Sequence, residues 1–268
     1  MEEWRLIIDR PGRGTYNMAV DLSILNSLAR QACPPTLRLY SWYPPAITIG
    51  YFQRLEEEVR INKCRAAGVD VIRRVTGGGA VFHDRELTYS VFIPLSHSLA
   101  LPSIRESYGL LCSPIVECLK SYGLNAHFSP VNDVLTGGAK LSGSAQTRRN
   151  GVLLQHGTLL VGADTELMFS LLNVSKEKSV AAAEGSPEGR VTSLSALLGE
   201  LVLDGEFQTD LSMRLANAFA EGLGCVFVQA ELSEAERREA LEIEEGLFKR
   251  EEWNRDRSIR PAFGAAGD

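Results

Sequence analysis

Residues 73–84 read RRVTGGGAVFHD, and the consecutive Gly77, Gly78 and Gly79 restrict the fold more than any other stretch. They lie between two runs of strand character, VDVIRR (69–74) and ELTYSVFIP (86–94), and so belong to a loop between β elements rather than to a linker. Glycine tolerates φ > 0 and lets backbone N–H groups approach a neighbour with no Cβ in between. Two uses follow: an ordinary turn, or an anion-binding loop in which the loop amides with Arg73 and Arg74 hold a phosphate or carboxylate. Neither GxxxxGK[ST] nor GxGxxG spacing is present, which disfavours P-loop and Rossmann sites.

Around this loop, helical and strand patterns mix without a regular βαβ rhythm. Thr15 is placed to cap a helix carrying Met18, Leu22, Leu25 and Leu28, which ends before Pro34-Pro35. TLRLYSW and AITIGYF read as strands, and Glu56–Glu58 open a helix that Gly68 closes. A helix is expected over 103–122, kinked or restarted at Pro114. Residues 125–161 form a β-rich block with turns at Gly137-Gly138 and Arg148-Arg149-Asn150. After it come a helix from Asp164, an exposed mobile loop over 184–193, a helix around 207–222, a strand CVFVQAEL and a charged helix from Ser233 to about Trp253. The pattern predicts an α+β fold with a mixed, largely antiparallel sheet and flanking helices, one domain over 1–258 and a tail over 259–268.

Composition sets limits on partners. A net charge of −6 argues against general nucleic-acid or membrane-surface binding, leaving the arginines near the glycines as a local basic patch. No run of about 18 apolar residues and no long apolar segment at the acidic N-terminus is present, so the expected location is cytoplasmic, with no membrane partner. Cys33, Cys64, Cys112, Cys118 and Cys225 are scattered without CxxC spacing, which speaks against a disulfide framework or zinc site.

The second chemically informative segment is NDVLTGGAKLSGSAQTRRNGVLLQHGTLL (132–160). Lys140 stands among small residues, Ser142, Gly143, Ser144 and Ala145, with Asn132 and Asp133 before it and His156 after it. A strand lysine ordinarily sits on a solvated face. Small neighbours instead let a ligand reach the backbone, where an ammonium neutralises a phosphate or a charge developing at a carboxyl carbon. His83 and His156 can equally be core histidines, and Asp84 and Asp133 turn formers, although a nucleotide-Mg²⁺ site needs such carboxylates.

Taken together, these segments resemble the lipoate-protein ligase and octanoyltransferase branch of the biotin/lipoate ligase superfamily. The matching stretches are YNMAVD (16–21), RLYSWYPPAITIGYFQ (38–53), RRVTGGGAVFHD (73–84), AKLSGSAQTRRNGVLLQHGTLL (139–160) and RVTSLSALL (190–198), in the family's order, with EEWN (251–254) beyond them. The resemblance implies a class II biotin/lipoate ligase-like catalytic domain that holds a medium-chain acyl group in an apolar tunnel. It implies that lipoate is activated with ATP and Mg²⁺ as lipoyl-AMP and passed to a lysine of a lipoyl domain, on a 2-oxoacid dehydrogenase E2 subunit or a glycine cleavage H protein. Carried over by position, Lys140 is the catalytic cation. Arg74, Thr76, Gly77, Gly78, Gly79, His83, Asn132, Asp133, Ser142 and His156 form the acyl-adenylate site, and Asp133 is the candidate Mg²⁺ contact.

The same resemblance offers a second reading. Octanoyltransferases move an acyl group from acyl carrier protein, and one subgroup uses a cysteine upstream of the motif lysine. HDRELTYS and TRRNGVLLQHG look like that subgroup, yet no cysteine lies between Phe128 and Lys140. The ligase reading is therefore preferred, with octanoyltransfer as the alternative and a non-catalytic acyl-binding paralogue as a third. Only 68 residues follow position 200, too few for the accessory domain of long ligases beside the elements read there, so a separate small accessory subunit is an expected partner.

Overall fold

The computed structural model describes residues 1–162, 164–173 and 191–261. Most of the expected 184–193 loop, and the tail from 262 on, lie outside these residues. The strands are β1 (Glu2–Ile8), β2 (Thr36–Tyr40), β3 (Ala46–Ile49), β4 (Asp70–Arg73), β5 (Val81–His83), β6 (Glu86–Pro94), β7 (Ala126–Ser129), β8 (Asp133–Thr136), β9 (Ala139–Arg149), β10 (Val152–Leu160) and β11 (Cys225–Gln229). Eight of them form one sheet in the order β11-β1-β2-β6-β10-β9-β8-β7, and β4-β3-β5 form a second. β1 pairs in parallel with β2 and β11, while β2 through β7 pair antiparallel, which gives the mixed, largely antiparallel sheet expected.

Strand β6 shows how the large sheet separates core from site. Leu87, Tyr89, Val91 and Ile93 alternate onto one face, where they join a core with Leu111 and Ile115 of the helix Ile104–Lys120 and Leu211, Leu215 and Phe219 of the helix Gly205–Leu223. The intervening Glu86, Thr88 and Ser90 are buried polar residues, and Phe92 on their face packs in the cluster of Met18, Leu22 and Leu25 from the helix Gly14–Ala29. The polar half of one strand thus becomes the wall beneath the site.

Several local expectations are corrected. The N-cap of the first helix is Arg13, without a capping side chain; Thr15 instead donates its hydroxyl to Glu244, 2.6 Å away. The helix read from Glu56 to Gly68 is two short ones, Leu55–Glu58 and Ile61–Ala66, because Val59 between them is extended and bridges to Leu172. Pro114 sits inside an uninterrupted helix, Ile104–Lys120, that does not restart there, and Ser103 caps its start. The C-terminal helix starts at Ser233 in a reciprocal capping box with Glu236, but α-helix ends at Ile243 and two π-type turns, Glu244–Phe248 and Glu252–Asp256, follow. Glu236 also takes a two-pronged bond from buried Arg5 (2.7 and 2.8 Å), tying this segment to β1.

Candidate active site

A cavity of about 230 Å³ lies between β6, β9 and β10 of the large sheet and the small sheet with its glycine loop. Met18, Trp42, Phe82, Leu160, Met168 and Leu172 supply its apolar lining, and Arg74, His83, Asn132, Lys140 and His156 its polar lining. Gly78 and Gly79 line it, whereas Gly77 and Thr76 stand behind that lining. Of the three, Gly78 is the one whose place requires a glycine, since a Cβ on Gly77 or Gly79 would meet nothing within 4 Å. Gly78 has φ +99°, and a Cβ on it would meet Arg74 at 2.8 Å; a Cβ on Gly50 would strike the Gly78 carbonyl at 2.0 Å.

Lys140 sits on β9 with its Nζ 2.7 Å from Asp133 Oδ1. The ammonium is folded over Gly143, where a Cβ would come within 2.5 Å of both Cε and Nζ, so the small residue after the lysine makes room for its side chain. Lys140 is 39% and Asp133 32% exposed at the side chain, which leaves the ammonium reachable. Asn132 clamps the strand at two points: its carbonyl accepts from Ser144 N (2.9 Å) and its side-chain amide donates to the Ser144 carbonyl. Ser142 departs from expectation. It is 1% exposed and off the cavity, while Ser144, also linked to Tyr89 at 2.8 Å, and Ala145 line it.

The two arginines before the glycines divide unexpectedly. Arg73, expected beside an anion, is 1% exposed and points the other way: it donates to the carbonyls of Gly50, Tyr51, Gln53, Trp253, Asn254 and Arg255. It binds the C-terminal segment to the base of the loop. Arg74 does reach the cavity, but its five donors are all taken by protein oxygens. Nε donates to Thr76 Oγ1 (3.1 Å), Nη1 to the carbonyl and hydroxyl of Thr48 (3.2 and 3.1 Å), and Nη2 to the carbonyls of Gly77 and Gly79 (2.7 and 2.8 Å). None of these oxygens is a carboxylate. Burial without a counter-charge lowers the guanidinium to about 10, so Arg74 remains a cation at neutral pH and gives the cavity a fixed positive charge.

Both predicted histidines are in the wall, each held by a residue to which the sequence reading assigned no role. His156 contacts Thr76 Oγ1 (2.7 Å) and Asp21 Oδ2 (3.5 Å). His83 contacts Thr48 Oγ1 (2.8 Å) and Glu86 Oε1 (2.8 Å) and stacks on Trp42 at 3.9 Å between ring centroids. Asp21 is anchored in turn by Arg38 (2.7 Å), Ser90 (2.7 Å) and Tyr40 (3.2 Å). A signal for these residues was present: Asp21 closes YNMAVD, and Glu86, Thr88 and Ser90 are the polar alternate of β6.

Burial lowers the pKa of His156 despite Asp21, and Arg38 with His156 holds the Asp21 carboxyl low against its own burial. Both shifts make the unfolded chain the better proton binder in acid, so stability rises with pH and is lost on acidification. Urea titrations at pH 7 and pH 5 should show lower stability at pH 5, and His156→Gln should reduce the difference.

The sequence model described as the lipoyl protein ligase A/B catalytic domain matches residues 13–216. The chain belongs to this family. Octanoyltransferase LipM of Kyrpidia tusciae is 37% identical, covering 95% of this chain and 99% of the relative. Among solved structures of the ligase family, the bi-partite lipoate protein ligase of Thermoplasma acidophilum, described with its E2 lipoyl domain, superposes with a TM-score of 0.81 at 29% identity (97% of this chain, 98% of that one). A lipoate-protein ligase A bound with ATP gives 0.79 at 28% (95% and 98%). In this chain Gly78 and Gly79 of the glycine loop and Lys140 line one cavity. No helix among the described residues is long and apolar enough to cross a membrane.

Proposed function

We propose that the chain transfers a medium-chain acyl group to a lysine of a lipoyl domain, through an acyl-adenylate formed from lipoate or octanoate with ATP and Mg²⁺. The observation that carries this reading is the lining and charge of the cavity: it combines an apolar wall with two cations, Lys140 and the uncompensated Arg74. Attack of the acceptor amine on the mixed anhydride builds negative charge on the carbonyl oxygen and expels AMP. A fixed ammonium beside both groups stabilises that transition state more than the ground state. Asp133 does not itself line the cavity but pairs with Lys140, which does, and it would be the carboxylate available to Mg²⁺, which at such sites uses one or two carboxylates with phosphate oxygens. The name of the bi-partite ligase fits a separate accessory subunit, and its lipoyl domain fits the proposed class of acceptor.

Octanoyltransfer from acyl carrier protein is the second reading, and the LipM relatives favour it. In the cysteine-using subgroup it proceeds through a thiolate that attacks the acyl carbon. Cys112 comes nearest in chemistry, its Sγ 3.6 Å from Ser144 Oγ, but it is 0% exposed and burial raises its thiol to about 11. Cys112→Ser should therefore keep at least half of wild-type transfer to a purified lipoyl domain. The same assay, run with lipoate or octanoate plus ATP-Mg and in parallel with octanoyl carrier protein, decides between the donors. ATP-independent transfer from the carrier protein, abolished by a single Cys→Ser change in a folded protein, replaces the adenylate reading.

A further inference from the structure

Two buried chains of hydrogen bonds converge on one guanidinium. Arg74 can only donate, so the hydroxyl oxygens of Thr76 and Thr48 accept from it, and each hydroxyl proton is left for the nearby imidazole Nε2. The far nitrogen of each ring faces a carboxylate, Asp21 Oδ2 for His156 and Glu86 Oε1 for His83. The proton arrangement that also gives each threonine hydroxyl proton an acceptor within these chains has both histidines neutral, with the proton on Nδ1 and the lone pair on Nε2.

We infer that Asp21 and Glu86 are positioning residues that act on the bound acyl donor through His156–Thr76 and His83–Thr48. Each carboxylate fixes the tautomer of its histidine, each histidine turns its threonine hydroxyl, and the two threonines aim Arg74. The remaining donors of Arg74 hold the carbonyls of Gly77 and Gly79, which takes the negative ends of two peptide dipoles out of a cavity that receives an anion. With all four ring nitrogens engaged, the histidines are scaffold, and neither is the base for the acceptor amine.

The roles are testable without turnover. In ¹⁵N-resolved spectra of the full chain, with rings assigned by His→Gln variants, His83 and His156 are expected to show a pyrrole-type Nδ1 and a pyridine-type Nε2. In Asp21→Asn, Arg38 retains the amide oxygen in the Oδ1 place and the NH₂ faces His156, which must move its proton to Nε2. A non-hydrolysable octanoyl-adenylate should then bind about tenfold or more weakly, the equivalent of one unmade buried hydrogen bond. Thr76→Val cuts the same chain without disturbing Asp21 and Arg38; it should lower the melting temperature by a few degrees, leave the chain folded at about 25 °C, and weaken binding alike. Glu86→Ala should also weaken binding, and Glu86→Gln, which keeps an oxygen facing His83, should restore it.

An Nε2–H tautomer at either ring in the wild type overturns the inference. So does wild-type affinity in both Asp21→Asn and Thr76→Val. The link to ligand binding rests on the acyl-adenylate reading: if the wild type fails to bind the probe, that reading and the ligand role fall together, while the spectra still decide the proton arrangement.

Discussion

Lys140→Ala is expected to lower acyl transfer by roughly a hundred- to a thousandfold, the usual effect of removing one donor aimed at charge that develops in the transition state. The melting temperature should hardly move, because the pair with Asp133 is about one-third exposed on both sides and such pairs contribute at most about 1 kcal/mol. Lys140→Arg should fail as well. The ammonium fits because it folds over Gly143 with less than a Cβ's clearance, and a planar guanidinium needs more room and points its donors differently. Gly143→Ala offers an independent check: it leaves the lysine in the sequence but displaces its head, and should reduce transfer without unfolding the chain. Near-normal turnover by either lysine variant removes Lys140 from the chemistry.

Arg73→Ala should instead destabilise the protein, by about 3 kcal/mol or more, since it strips donors from buried carbonyls contributed by two distant segments. One segment is 50–53, at the base of the glycine loop; the other is 253–255, in the second π-type turn. Trp253 returns a bond to the Arg73 carbonyl (2.7 Å), and Asn254 Oδ1 accepts from the Arg73 amide (2.8 Å), so the junction depends on more than one side chain. Lysine has three donors for six carbonyls, and Arg73→Lys should recover little. Denaturant midpoints of the two variants provide the measurement. A wild-type midpoint for Arg73→Ala would show that the C-terminal segment is held by Trp253 and Asn254 alone.

What the sequence by itself determined was whatever depends on near neighbours along the chain. The strands read at 86–94 and 152–160 and the helix starts read at Ser103, Asp164 and Ser233 depend on partners within a few residues and appear where the pattern places them. The stretch around Lys140 was legible for the same reason: a lysine, a glycine three residues on, and an Asn-Asp pair shortly before it lie on adjacent strands. Three outcomes were decided only by the tertiary structure. Arg73 and Arg74 are adjacent and chemically identical, yet one faces Trp253 and the other the cavity, because residues 180 to 182 positions away supply three of the six carbonyls that hold the first. Ser142 and Ser144 differ by two positions on β9, yet Ser144 alone lines the cavity; the register irregularity against β8 falls between Lys140 and Ser142 and so separates the lysine's register from that of the serines. Asp21 is a carboxylate in an otherwise buried helix, and its partner His156 is 135 residues distant. A buried charge must find its counter-groups somewhere, but which ones it finds depends on how β2, β6 and β10 are laid side by side, and no local pattern contains that information.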